Sequence, residues 1–202
     1  MVQDIPQLKL PLMHIPSELA LQVTREQFAL LAAANRELRL ERTATGELIV
    51  NPPTGGESGR RNLSISAQLG AWFEANDSLG EAFDSSTGFE LPNGATRSPD
   101  AAWVTRERWQ ALTAEQREGF IPLCPDFVVE LRSKPDSLKV LRTKMQEYMN
   151  NGVQLGWLID PKNKCVEVYR TGRAVEVVTK PNTLSGEVVL PGFTLTLKRI
   201  WA

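Results

Sequence analysis

Histidine is nearly absent: the 202-residue chain holds one, His14, in a proline-rich start. A single imidazole excludes a Ser-His-Asp triad, zinc sites that need several imidazoles, and histidine-based nuclease chemistry. Cysteine is also scarce. Cys124 and Cys165 lie beside apparent strands without Cys-x-x-Cys spacing, so both are expected to be reduced packing residues. No apolar run is long enough to cross a bilayer, and the start lacks the charged and apolar regions of a signal peptide. The expected location is therefore the cytoplasm, with no membrane partner. Charge of one sign is missing as well: the formal net charge is −1, which argues against broad, sequence-blind nucleic-acid binding but leaves room for a local basic cleft.

At this length, a hydrophobic content of 42% implies a sizeable core and one main domain, residues 17–202, behind an extended arm of residues 1–16. The stretch Pro125–Asp160 organises that domain. Phe127, Val129 and Leu131 alternate with Val128, Glu130 and Arg132, which predicts a strand with a carboxylate set inside it. After Lys134-Pro135-Asp136, the residues Leu138, Leu141, Met145, Tyr148 and Met149 recur at helical spacing until Gly152 stops the run. A second apolar strand, Leu155 to Ile159, follows. Strand, helix and strand with short joints predict a right-handed crossover onto a parallel pair, which brings Glu130 and Lys144 to one cleft.

The flanking elements are read in chain order. Ser17 to Ala34 has a helical pattern, and Thr24 with Gln27 carries a capping-box signature. Leu38 and Leu40, then Leu48 and Val50 across Thr45-Gly46, predict a hairpin on which Glu41 and Glu47 are expected to be solvated. Residues 51–59 are rich in proline and glycine but lack the Gly-Lys-Ser or Gly-Lys-Thr ending of a P-loop. A long helix from about Gly59 to Asn76 follows. Glu57, Arg60, Arg61 and Asn62 gather at its start, where they form either a charged helix start or a cleft-facing anion site. Gly80–Asp84, the run from Gly88 into a tight turn, and Thr96–Val104 predict further strands, the last placing Asp100 on a face with Ala102 and Val104. Residues 105–119 read as a helical excursion jointed at Thr113. Residues 162–202 read as hairpins with strands at Cys165–Tyr169, Val175–Val178, Val188–Leu190 and Phe193–Leu197, and Ile200 and Trp201 are expected to meet a neighbour, for which a second subunit is one candidate.

Two strand carboxylates beside a cation suit a hard divalent ion, which prefers oxygen ligands and keeps waters for substrate. Such an ion polarises a phosphoryl oxygen and acidifies a bound water that a lysine can orient or deprotonate. Asp126 competes with Asp100 because it too follows a proline. It lies four residues before Glu130 on one strand, about 13 Å away along an extended chain, too far for one metal. Arg132, Lys134, Lys139, Arg142 and Lys144 form the most basic stretch, a patch that would attract a polyanion.

The pairing of Ser98-Pro99-Asp100 with Val129-Glu130-Leu131-Arg132 resembles the bipartite motif of the PD-(D/E)XK nuclease superfamily. The run Pro125–Ser133 with Lys144, Tyr148, Gly152-Val153 and Trp157–Pro161 is similar to its Uma-type branch, described as restriction endonucleases. The resemblance spans about Glu41 to Asp160. It implies an α/β (α+β) fold with a restriction-endonuclease-like central mixed sheet flanked by helices, and endonuclease activity on DNA. It also implies a magnesium ion, for which manganese can substitute, held by Asp100 and Glu130. The superfamily places a lysine two residues after the glutamate, where this chain has Arg132. Arginine stays protonated and cannot serve readily as a base, though it can stabilise charge on a phosphate. The branch takes its lysine from the following helix, where Lys144 matches.

The expected catalytic set is thus Asp100, Glu130 and Lys144, with the backbone carbonyl of Leu131 completing the metal shell. Arg132, Glu57, Arg60, Arg61, Asn62 and Tyr148 are candidates for contact with substrate phosphate, and two-strand cutting suggests a homodimer. A catalytically inactive nucleic-acid-binding or assembly protein on the same fold is the alternative, and magnesium affinity separates the two. A carbohydrate hydrolase using Asp100 and Glu130 would instead act without metal.

Overall fold

The structure, a computed structural model, describes residues 20–202; the arm 1–16, His14 and the Ser17 helix start lie outside the described residues. In chain order the elements are α1 (Arg25–Ala34), β1 (Arg39–Arg42), β2 (Leu48–Asn51), α2 (Gly56–Glu74), a 3-10 turn at Asp77–Leu79, β3 (Gly80–Asp84), β4 (Phe89–Glu90), β5 (Thr96–Arg97) and β6 (Ala101–Thr105). They continue with α3 (Arg106–Gln110), α4 (Ala114–Glu118), β7 (Phe127–Leu131), α5 (Leu138–Asn150), β8 (Leu155–Asp160), β9 (Cys165–Arg170), β10 (Glu176–Thr179), β11 (Thr183–Ser185), β12 (Thr194–Thr196) and α6 (Lys198–Trp201).

A six-stranded mixed sheet in the order β10-β9-β8-β7-β6-β3 forms the centre. β7 and β8 run parallel, joined through α5, and every other neighbouring pair in this sheet is antiparallel. Alternation sends the side chains of β7 to opposite faces. Phe127, Val129 and Leu131 enter a core with Ile65 and Leu69 of α2, and Val128 enters a second core with Met145 and Tyr148 of α5. α5 sits close to the sheet because Gly156 of β8 has no side chain: a Cβ there would lie 2.6 Å from Met145 Cε. The helix ends at Gly152, whose φ of +109° suits glycine alone among common residues. Close approach and a fixed end together set which turn of α5 overlooks the end of β7.

Beside the main sheet lies a small antiparallel one in the order β2-β1-β5-β4. The sequence predicts one strand over Thr96–Val104, but the chain divides it into β5 in the small sheet and β6 in the large one. The break falls at Ser98-Pro99-Asp100, where proline offers no N–H to a ladder. Crossing between sheets at this point places Asp100 where the two meet.

Several expected boundaries move. α1 begins at Arg25, not near Ser17, because the Thr24 hydroxyl accepts from Gln27 N and the Gln27 side chain accepts from Thr24 N. Residues 20–24 are non-helical, with Gln22 bridging Glu47. Val188–Leu190 is a turn rather than a strand, with Val188 89% exposed, and the strand lies upstream at β11. β9 and β10 extend the main sheet, whereas β11 and β12 form a separate ribbon. Ile200 and Trp201 do not await a neighbour: Ile200 is fully buried in the first core, Trp201 packs against it, and Trp201 Nε1 donates to the Pro181 carbonyl. The cysteines are free, with Cys124 buried. No helix of the described residues is long and apolar enough to cross a membrane.

Candidate active site

Asp100 is fixed by the strand beside it. Its N–H donates to the Val129 carbonyl, and its Oδ2 accepts from Leu131 N at 2.8 Å. Both contacts use β7 backbone, so the carboxylate is registered against Glu130 by main-chain geometry rather than by side-chain packing. Its Oδ1 accepts from Asn62 Nδ2 at 3.0 Å and, over a longer 3.4 Å, from Arg39.

Glu130 lies on the opposite face of β7 from Leu131 and is 3% exposed. Its Oε1 accepts from the Tyr148 hydroxyl at 3.0 Å and meets Lys144 Nζ at 2.7 Å. Tyr148 and Lys144 are one helical turn apart on α5, so a single helix face supplies both donors. Burial, with repulsion from Asp100 and Glu41, pushes the Glu130 carboxyl up to about 7 despite Lys144. Burial likewise raises the Tyr148 hydroxyl well above its usual range, with Glu130 and Glu41 adding to it, so Tyr148 remains a donor.

Glu41 is the main correction. Expected to be solvated, it is 3% exposed and joins the site: Oε1 takes Lys144 Nζ at 2.8 Å, while Oε2 takes Arg97 at 3.2 Å. Lys144 therefore lies between two carboxylates at nearly equal distance. Burial alone would lower its pKa, but Glu130 and then Glu41 outweigh burial and raise it. For Glu41 the same lysine and Arg97 overcome burial and hold the carboxyl below its ordinary value. Arg97 also bonds Glu147 of α5 at 2.6 Å, which ties the small sheet to the helix that carries Lys144.

The remaining candidates separate. Of the cluster at the start of α2, Asn62 alone reaches Asp100. Arg60 pairs with Glu57 and donates to the carbonyls of Arg199 and Ala202, and Arg61 donates to the Ile200 carbonyl. These side chains hold the C-terminal helix. Arg132 is bound at 2.8 Å by Asp160 and donates from Nε to the Asp136 carbonyl. The basic stretch is correspondingly muted: Arg142, though exposed, pairs with Glu167 at 2.5 Å and Lys144 is enclosed, leaving Lys134 and Lys139 exposed without a salt bridge among the described residues. Arg39, Glu41 and Arg97 were absent from the sequence-derived set. Arg39 and Glu41 share one face of β1, and their opposite charges two residues apart were the available signal.

A carboxylate at the break before β6 and another on β7, with a lysine between the latter and a third carboxylate, can bind a hard cation and place a positive charge beside it. Among the described residues no three His, Cys, Asp or Glu side chains gather as a metal cage. That leaves the magnesium mode of one or two carboxylates plus carbonyls and waters. The residues fit it: Asn62 Oδ1, next to Asp100, is a buried oxygen with no hydrogen-bond partner.

No protein in a search of curated sequences matches this chain. The fold is similar to the crystal structure of a "putative nuclease belonging to DUF820" from Anabaena variabilis ATCC 29413, with a TM-score of 0.72 and 21% identity over 89% of this chain and 97% of that one. At that identity the likeness concerns the fold. A family model covers residues 25–198, nearly the whole described chain, and it includes every residue of the site; the protein belongs to the Uma2 family, described as "putative restriction endonuclease".

Proposed function

We propose that the protein is a divalent-metal-dependent endonuclease that hydrolyses phosphodiester bonds of DNA. The observation that carries this reading is Asp100, in the break just before β6, held on the β7 backbone beside Glu130, with Lys144 Nζ 2.7 Å from Glu130. Family membership and the nuclease description of the similar structure support the same class of chemistry.

Asp100, Glu130 and the Leu131 carbonyl would hold magnesium, or manganese in its place. Such an ion supplies Lewis-acid polarisation of a phosphoryl oxygen and a more acidic bound water. The chain's own residues have distinct tasks. Leu131 N and Asn62 keep Asp100 oriented. Tyr148 occupies Oε1 of Glu130, and no described side chain donates to Oε2, which leaves that oxygen for a ligand. Lys144 is kept protonated by its two carboxylates, so its role is to orient the attacking water and stabilise developing negative charge, not to remove a proton. Glu41 retains the lysine when Glu130 is engaged elsewhere. Cutting both strands requires two copies or two successive events; Trp201, partly buried against this chain's own core, is not by itself an argument for two copies.

One observation favours the second reading, a catalytically inactive nucleic-acid-binding or assembly protein. Each site carboxylate already has a cation beside it, Arg39 on Asp100 and Lys144 on Glu130, as a purely structural network would. Nicking of supercoiled plasmid separates the two. Wild type should nick with magnesium or manganese and not with chelator, and Glu130→Ala and Lys144→Ala should both abolish nicking. Absence of cleavage by wild type on plasmid, single strands and RNA would leave the binding protein as the reading.

A further inference from the structure

Asp100 is surrounded by an incomplete set of hydrogen bonds. Two buried atoms without partners flank it, Arg39 Nε and Asn62 Oδ1, one a donor and one an acceptor. Both side chains converge on the same oxygen, Asp100 Oδ1. Leaving a buried polar group unpaired costs about 1–3 kcal/mol. Two such atoms at one carboxylate describe a place that a ligand completes.

Arg39 is the weakest link in this arrangement. Its NH2 is well held by the Ser98 carbonyl at 2.8 Å, but NH1 reaches Asp100 only at 3.4 Å. Its side chain is 33% exposed, whereas that of Asp100 is 11% exposed, so Arg39 is the more solvent-accessible partner of the pair. Asp100 Oδ2, by contrast, is locked on the β7 backbone. The Arg39 contact at Oδ1 is the one that a cation can replace without disturbing the sheet.

We propose that Arg39 is an internal stand-in for the divalent cation: it neutralises Asp100 when no ion is bound, is displaced when the ion binds, and then grips a phosphate oxygen of the nucleic-acid substrate. This deepens the nuclease reading and rests on it for the substrate half. A guanidinium released from Asp100 and from the Ser98 carbonyl would present its Nε–NH2 edge, the paired donors that match a phosphate. The incoming ion and its waters give Asn62 Oδ1 its missing partner. One movement satisfies both orphaned atoms.

The test uses two readouts of opposite sign. Manganese is titrated calorimetrically into the metal-free protein, and plasmid nicking is followed at saturating manganese. Arg39→Met keeps the apolar stem and removes the charge. It should bind manganese roughly tenfold more tightly, because the competing cation is gone, while KM for plasmid rises roughly tenfold and kcat changes less. Arg39→Lys keeps the competing charge and should restore near wild-type manganese affinity, but it should not restore KM, since a lysine lacks the paired donors. If Arg39→Met fails to fold, Arg39→Gln takes its place under the same expectations. Unchanged or weaker manganese binding without the charge overturns the stand-in. Tighter manganese binding with unchanged KM overturns the phosphate grip. If wild type binds manganese but cuts nothing, the nuclease reading and the phosphate grip fall, and the titration alone decides whether Arg39 competes with the ion.

Discussion

Asp100 and Asp126 invite comparison because local sequence barely distinguishes them. Each follows a proline, each is buried, and they lie near opposite ends of β7. Asp126 is saturated: Oδ2 accepts from Thr105 N at 2.8 Å, and Oδ1 from Arg108 at 2.8 Å and Gln154 at 2.9 Å. Three donors from two parts of the chain use that carboxylate as a clamp. Asp100 has one firm backbone bond, one amide and a distant guanidinium, and its neighbours are a second carboxylate and a lysine. A carboxylate whose acceptor positions are filled at short distance is structural. One held by backbone on one oxygen and loosely countered on the other is available for chemistry.

Asparagine at either position should break the comparison most sharply. Asp100→Asn should lower cleavage roughly 1000-fold, as loss of a metal-bound carboxylate does, with little change in melting temperature. Asp126→Asn should retain activity per folded molecule but lose about 1–3 kcal/mol of stability, because an amide cannot accept all the hydrogen bonds that Thr105 N, Arg108 and Gln154 give the buried carboxylate. Chemical denaturation beside plasmid nicking measures both. Equal loss of stability in the two variants would erase the distinction.

Glu41→Gln should have the next largest effect, a fall in cleavage of roughly 10- to 100-fold with the fold retained, since Lys144 loses one of its two counter-charges. Activity at wild-type level would remove Glu41 from the site. pH separates the members of this network. A carboxyl raised from 4.5 to about 7 in the folded state gives stability that is full below 4.5 and is lost as pH rises through 7. The stability of Glu130→Gln relative to wild type, both metal-free, should therefore be greater at pH 8 than at pH 5. Thermal melts at the two pH values check this, and a pH-independent difference would contradict it. Glu41, held low, has the opposite sign: its contribution is present above 4.5 and lost as pH falls. The smallest effect belongs to the cluster on α2. Arg61→Ala should lower the melting temperature slightly and leave cleavage within about twofold, because Arg61 binds the Ile200 carbonyl and not the site.

The unit β7–α5–β8 was legible because its signals are local: strict alternation, helical spacing and a stop at Gly152. The same locality explains why Glu130 and Lys144 could be paired before their separation was known. Glu41 was not legible. It sits on a four-residue strand, Arg39–Arg42, whose charges suggest solvent, and its partners lie far away in sequence: Arg97 is 56 residues on and Lys144 is 103. Burial created by a second sheet folding over the first leaves no periodic mark. Val188–Leu190 failed for a different reason, since three apolar residues next to Pro191-Gly192 satisfy a strand pattern and a turn equally well. The division of Thr96–Val104 was marked by Pro99, a breaker whose weight a continuous apolar pattern concealed.

The most direct measurement is manganese binding to the purified metal-free protein, followed by calorimetry in wild type, Asp100→Asn and Asp126→Asn. The account predicts ion binding in wild type that is lost in Asp100→Asn and kept in folded Asp126→Asn. No binding by wild type, or equal binding by the two variants, would contradict the claim that Asp100 and Glu130 form a metal site.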